Sequence, residues 1–299
     1  MMKGNKKILL YGGTGFVGSE IVDAFKDIYT IVSPTHTEVD ITDVHQLKEN
    51  ILQTKPDLII YATGLASVDR CEEDPKLASL LNTKAPGVIA SEAAILHIPV
   101  YYLSTDAVFR GNRKNSPYKE EDSPDPFSVY GKTKVAGEEV ILKHSDRNAV
   151  IRIICPFNFY YDKKTDFARK AVNKLSKNEN FTGIVDQIIN PLYMPYLTDA
   201  LLKLVDTEAS GVYHLGATDF DSNYNIVKRL AKILELDTHL LTPVKLDSFL
   251  KDKLALRSHY CWLDVSKFQK EYGEGILHTI DISLKEFAAD TIKNRTANS

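Results

Sequence analysis

The chain has 299 residues, 43% of them hydrophobic and 26% charged, a balance that fits a folded globular protein and excludes a mini-protein, a disordered chain or a fibrous repeat. With 37 Lys and Arg against 40 Asp and Glu, the net charge of −3 supplies no general attraction to nucleic acid or anionic lipid and favours a small-molecule or protein partner. Cys71, Cys155 and Cys261 are too far apart for a metal knuckle or a disulfide framework, so a reducing cytosol and no metal are expected.

The first apolar run, Ile8 to Tyr11, follows Lys3, Lys6 and Lys7 and stops at Gly12 and Gly13. It is too short for a signal peptide, and no uncharged apolar stretch is long enough to span a membrane. The expectation is therefore a cytoplasmic chain with no membrane or nucleic-acid partner. Residues 7–11, 29–32, 58–61, 100–103 and 149–154 read as buried strands. Residues 17–25, 44–53, 86–96 and 130–142 between them carry apolar side chains at helical spacing. This alternation predicts an α/β fold, a Rossmann-type doubly wound parallel sheet. Residues 111–127 are polar and read as a surface loop.

Beyond residue 154 the pattern loosens. An aromatic run (Phe157, Phe159, Tyr160, Tyr161) precedes a helix over 167–175 and a segment punctuated by Pro191 and Pro195. Residues 212–215 read as a strand returning to the first sheet. Residues 223–234, 265–272 and 280–292 read as helices, and 294–299 as a frayed tail. The predicted division is an NAD(P)-binding domain over 1–156 with a returning segment 192–218. A smaller, partly helical substrate-binding domain would occupy 157–191 and 219–299.

Gly12-Gly13-Thr14-Gly15-Phe16-Val17-Gly18 follows the first strand directly and opens the first helix. In that setting the glycines allow a tight turn and let a dinucleotide pyrophosphate approach the helix N-terminus. The end of the second strand, Ile31 to His36, holds neither the carboxylate that marks NAD preference nor an arginine. Ser33, Thr35 and His36 could donate to a 2′-phosphate, so NADP is favoured over NAD, with dual use open. Asp40, followed by Ile41, either caps a helix or meets the adenine edge.

Tyr130 and Lys134 are four residues apart on a predicted helix and so share one face. A nearby ammonium would draw the phenol's pKa down from about 10 toward a range useful for proton transfer. Ser104-Thr105-Asp106 closes the fourth strand, at the sheet end where ligands gather, and Thr105 could hold a carbonyl oxygen that Tyr130 protonates.

The residues resemble the extended short-chain dehydrogenase/reductase family, and within it the dTDP-4-dehydrorhamnose reductases. The likeness is carried by the glycine loop, Asp40-Ile41-Thr42-Asp43, Ser67-Val68-Asp69-Arg70-Cys71-Glu72, Asn82, Ser104-Thr105-Asp106, Tyr130-Gly131-Lys132-Thr133-Lys134, Asp186-Gln187 and Arg257 ahead of Leu263-Asp264. It implies catalytic Thr105, Tyr130 and Lys134, with reduction of C4 in a nucleotide-linked 4-keto-6-deoxy sugar for polysaccharide precursor synthesis. It further implies cofactor contacts from Gly12, Thr14, Gly15, Phe16, Val17, Gly18, Ser33, Asp40, Ile41, Ala62, Thr63, Gly64, Ser104, Tyr130 and Lys134. Substrate contacts would come from Val68, Thr105, Asp106, Ala107, Tyr130, Cys155 and Arg257.

Some positions depart from the family pattern. Ala107 stands where a tyrosine is usual and Cys155 where a tryptophan is usual, so two aromatic walls of the sugar pocket are missing. Around Arg257 only the arginine matches. Phe157, Phe159, Tyr160 or Trp262 could compensate, although an aromatic run beside a strand more often belongs to the core. Ala107 also removes the glutamate of a dehydratase. A nucleotide-sugar 4-epimerase, and a non-catalytic regulatory subunit resembling methionine adenosyltransferase subunit beta, stay open as alternatives. The sequence leaves a homodimer open as the assembly.

Overall fold

The computed structural model describes residues 6–160 and 165–297, the side chains from 294 onward excepted. Tyr161 lies outside the described residues. The elements are, in order, β1 (Lys7–Tyr11), α1 (Phe16–Phe25), β2 (Thr30–Val32), α2 (Val44–Thr54), β3 (Leu58–Tyr61), α3 (Val68–Glu73), α4 (Pro75–Ser79), a π-helical turn (Leu80–Lys84), α5 (Ala85–Ile95) and β4 (Val100–Thr105). A 3₁₀ turn (Asp106–Val108), α6 (Val129–His144) and β5 (Ala149–Ile153) follow. Then come α7 (Phe167–Leu175), β6 (Phe181–Ile184), β7 (Ile188–Ile189), α8 (Met194–Asp206), β8 (Gly211–Leu215), β9 (Asp221–Ser222) and α9 (Asn223–Ile233). The chain ends with β10 (Leu241–Val244), α10 (Leu246–Leu250), α11 (Ser266–Tyr272) and α12 (Ile280–Ala297).

Six strands form one sheet in the order β2-β1-β3-β4-β5-β8. β1 runs parallel to β2 and β3, and β3 parallel to β4. The chain builds outward in one direction through β2, then in the other from β3, so the switch point lies between β1 and β3. In open α/β sheets, ligand crevices form at such a point, beyond the carboxyl ends of the strands. The inner strands β1, β3, β4 and β5 are buried on both faces, which explains why they read as unbroken apolar runs. Leu9, Ile59, Val100 and Val150 pack with Leu47 and Ile51 of α2 and Ile89 and Ala93 of α5 into one core.

Two compact units emerge. The first contains the chain up to Phe109 together with Ser123–Arg152 and Leu201–Tyr213. The second contains Arg110–Asp122, Ile153–Ala200 and the chain from His214 onward. Relative to the division read from sequence, the polar segment 110–122 groups with the second unit, and the returning segment is narrower. Its attachment there comes from Tyr118, whose backbone N–H donates to Trp262 O at 3.0 Å and whose ring rests under Arg113.

In the second unit Phe157 is fully buried and packs on Phe167, Tyr193 and Phe287 at centroid distances of 5.3–5.6 Å. It is a core residue and does not stand in for a missing pocket wall. Trp262 lies against Phe220, while Tyr160 is exposed. The tail expected from residue 294 is instead helical through Ala297, because α12 simply continues. Among the described residues no helix is long and apolar enough to cross a membrane.

Candidate active site

In the first unit the glycine loop joins β1 to α1. Gly12 has φ of +98°, and a Cβ there would lie 2.9 Å from Ala62 O; a Cβ on Gly18 would lie 2.1 Å from Gly12 O. Side chains at these two positions would force apart the loops that follow β1 and β3. Gly15 differs, since a Cβ there meets only Gly12 O, at 3.1 Å. It is also the N-cap of α1, with no side-chain cap. The loop is thus tightly built behind Gly15 and open in front of it, the shape a pyrophosphate needs at a helix N-terminus. Ala62, Thr63 and Gly64 follow β3 beside it, with Ala62 N donating to Tyr11 O at 2.9 Å.

At the end of β2, Ser33 Oγ donates to Leu10 O at 3.0 Å, which commits the hydroxyl to the neighbouring strand β1. Glu38 folds back on Thr35, accepting from its N–H and its hydroxyl at 2.8 and 2.9 Å. These bonds hold the exposed Glu38 carboxyl below its ordinary pKa. A carboxylate therefore sits beside the hydroxyl read as a 2′-phosphate donor. The sequence reading stopped at His36 and missed it, because only the turn of the loop brings Glu38 back. Asp40 does not cap α2; Asp43 does, accepting from His45 and Gln46 N–H. Asp40 accepts instead from Thr42 N and Oγ1 and is exposed, with Ile41 next to it.

Thr105 is the last residue of β4. Its hydroxyl accepts from Ala107 N at 3.2 Å and lies 3.0 Å from Asp106 Oδ1, which pins the side chain at the sheet's carboxyl edge. α6 starts at Ser128, whose Oγ accepts from Gly131 N at 3.1 Å. Gly131 lets this first turn pack closely, for a Cβ there would lie 2.2 Å from Ala107 O. The close approach brings the Tyr130 phenol beside the Thr105 hydroxyl.

Burial pushes the Tyr130 phenol well above its ordinary range, and the bond with Thr105 is what opposes that rise. The expected lowering by Lys134 is not found. Lys134 Nζ reaches past the phenol, donates to Leu103 O at 2.7 Å and lies 3.8 Å from the centre of the Tyr102 ring. Only 4% of Lys134 is exposed, and burial brings its pKa down to about 7, against an upward pull from Glu138. Val68, at the start of α3, is half-buried, and Cys71 on the same helix lies fully buried near the pair.

Two supports of this site had no role assigned from the sequence. Asn82, in the π-helical turn, accepts from Leu65 N at 2.9 Å and donates to Leu65 O and to Thr133 Oγ1 on α6. The turn displaces backbone carbonyls from their helical partners. Tyr61 donates to Leu81 O and Tyr102 to Asn82 O, both at 2.7 Å, so the sheet satisfies them. The second support is Glu138, one turn beyond Lys134, which binds Ser104 and Arg152. A carboxylate at the next i+4 position after Lys134 was the available signal.

In the second unit Cys155 is exposed, with φ of +40°, and Arg257 donates to Ala255 O at 2.8 Å. Among the described residues no group of three His, Cys, Asp or Glu side chains is placed to hold a metal.

The family model for the RmlD substrate binding domain matches residues 6–291. The chain belongs to that family. It is accordingly an enzyme of the extended short-chain dehydrogenase/reductase group, an NAD(P)-dependent oxidoreductase. A dTDP-4-dehydrorhamnose reductase of Shigella flexneri is 28% identical over 277 residues, covering 89% of this chain and 91% of the relative. Methionine adenosyltransferase 2 subunit beta of Bos taurus is 26% identical, covering 80% and 75%. A crystal structure of dTDP-4-dehydrorhamnose reductase from Bacillus anthracis in complex with NADP superposes with a TM-score of 0.88 at 23% identity, covering 96% of this chain and 99% of that one. This RmlD-family chain thus shares its Rossmann-like fold with nucleotide-sugar enzymes along almost its full length.

Proposed function

We propose that this protein reduces the C4 keto group of a nucleotide-linked 4-keto-6-deoxy sugar, as a dTDP-4-dehydrorhamnose reductase does, for polysaccharide precursor synthesis. The observation that carries this reading is that Tyr130 and Thr105 meet at the carboxyl end of β4, with the Lys134 ammonium anchored one helical turn away. NADP or NAD would be held by Gly12, Thr14, Gly15, Phe16, Val17 and Gly18 at its pyrophosphate, by Ser33, Asp40 and Ile41 on the adenosine side, and by Ala62, Thr63, Gly64 and Ser104 along the groove. When bound, the nicotinamide supplies a hydride to the carbonyl carbon.

The chain's own residues handle the oxygen and the proton. Thr105 hydrogen-bonds the carbonyl oxygen, and Tyr130 transfers its phenolic proton as negative charge develops there. Burial keeps that phenol protonated at neutral pH, so the acid is loaded before substrate arrives. Lys134, bonded to Leu103 O, holds the strand that carries Thr105 and sets its charge beside the site. Val68, Asp106, Ala107, Cys155 and Arg257 are the proposed substrate contacts, Arg257 toward the diphosphate. Ala107 and Cys155 are smaller than the aromatic side chains usual in the group, which suits a bulkier or differently shaped sugar.

The reading is tested by following reduced-nicotinamide absorbance with dTDP-, UDP- and GDP-linked 4-keto sugars and each cofactor. Stoichiometric oxidation with one sugar supports it. Isomerisation without net cofactor use would assign a 4-epimerase instead. The likeness to methionine adenosyltransferase 2 subunit beta favours a second reading, a cofactor-binding regulatory subunit. Absence of turnover with every sugar, together with a stable complex with a partner synthetase, would establish that one.

A further inference from the structure

Tyr130, Lys134 and Glu138 recur every four residues on α6 and so form one file along the helix. The proposed chemistry uses the first two. Glu138 is only 3% exposed, too deep for an ordinary surface carboxylate. Every direction around it is occupied. Ser104 Oγ donates to Oε1 at 2.5 Å, and Arg152 of β5 donates through Nε at 3.0 and 3.2 Å to the two oxygens and through Nη2 at 2.7 Å to Oε2. Arg152 is itself 3% exposed, with its guanidinium 5.0 Å from the centre of the Phe109 ring.

An ion pair this deep gains little net stability over an apolar replacement, because desolvating both charges offsets their attraction. Its value lies in what it fixes. Ser104 precedes Thr105, so the bond to Glu138 sets the end of β4, the strand that presents the Thr105 hydroxyl. The same strand offers Leu103 O to the Lys134 ammonium. A single carboxylate thus braces both ends of the site, through the strand on one side and through its charge on the other.

We propose that Glu138, held by Arg152 and Ser104, is a positioning residue that fixes the end of β4 presenting Thr105 and sets a carboxylate in file with Lys134. This rests on the reading of Lys134 as a working ammonium. The groups that face Lys134 are Glu138 and Tyr130 on its own helix, Cys71 on α3 and Tyr102 on β4. Tyr102 and Cys71 are pushed toward their neutral forms by burial. The Glu138 carboxylate is then the anionic group acting on the ammonium, and its removal strips the charge of its support.

The test is an NMR titration of ¹⁵N-lysine-labelled protein without cofactor or substrate, with Lys134→Met used to assign the Nζ signal. Glu138→Gln keeps the shape and removes the charge, and the Lys134 midpoint is expected to fall by about one pH unit or more, the scale of a close opposite charge. Should that variant fail to fold, Glu138→Leu combined with Arg152→Met removes both charges and leaves no orphan. A smaller downward shift is expected there, because losing the Arg152 cation opposes the loss of the carboxylate, which acts the more strongly on Lys134. A midpoint unchanged in either folded variant would overturn the proposal and leave Glu138 as packing alone. Since the readout needs no turnover, a protein that reduces no sugar would count against the proposed activity and not against this network.

Discussion

The Tyr130 phenol lies against the Thr105 hydroxyl, whereas Lys134, one helical turn on, is bonded to the backbone of the strand that carries Thr105. The two partners of a Tyr-x-x-x-Lys motif therefore address different parts of the site. In the proposed reaction the two hydroxyls serve the reacting oxygen, while the lysine braces the strand and supplies charge. Replacing Tyr130 by Phe deletes the proton and leaves the ring's packing against Leu65 and Cys71 in place. Turnover should fall by about 10²- to 10⁴-fold, the usual contribution of a general acid. Cofactor binding, followed by nicotinamide fluorescence, should change little. Turnover that survives in Y130F would show that another group protonates the product.

The buried lysine makes stability depend on pH. Its folded-state pKa of about 7 lies below the value of a free lysine, so between those values the unfolded chain binds the proton that the folded chain has released. Stability should therefore rise as pH increases from about 7 to 10, and Lys134→Met should flatten that rise. Tyr130 acts with the opposite sign higher up, for a phenol kept protonated by burial loses stability relative to the unfolded chain only above its ordinary pKa near 10. Urea unfolding of both proteins across this range measures the difference. Parallel curves would mean that the ammonium keeps its full charge when folded.

Much of this was legible in the sequence because it is local or periodic. The alternation of apolar runs announced the sheet, Gly12 to Gly18 the tight turn into α1, and the Tyr130 to Lys134 spacing a shared helix face. What stayed hidden depends on chain-distant partners. Nothing periodic connects Glu138 with Arg152, or Asn82 with Leu65, and a π-helical turn leaves no pattern of its own. Lys134 was misjudged for a related reason: shared facing shows that two side chains can meet, while the carbonyl of Leu103, thirty-one residues away, decides where the longer one ends.

Gly15 is the point where the loop opens, and its substitution tests the pyrophosphate role apart from the chemistry. A Gly15→Val side chain would protrude into the space in front of α1 while meeting little behind it, since only Gly12 O is near. The fold should survive, judged by circular dichroism, and affinity for both NADPH and NADH should drop by an order of magnitude or more, about 1.4 kcal/mol per tenfold. Unchanged affinity in a folded variant would remove the pyrophosphate from this helix end.

Cofactor choice turns on the carboxylate that sequence alone did not reveal. Glu38 is held ionised by Thr35 at the mouth of β2, where a 2′-phosphate would approach, and like charges there raise the cost of binding NADPH but not NADH. Glu38→Gln keeps the hydrogen bonds to Thr35 and removes the charge. NADPH affinity should increase a few-fold relative to NADH, and the gain should shrink as salt is added. Fluorescence titration with both nucleotides at low and high ionic strength separates the outcomes. A ratio that does not move in E38Q would place the 2′-phosphate away from Glu38 and leave the choice to His36 and the neighbouring backbone.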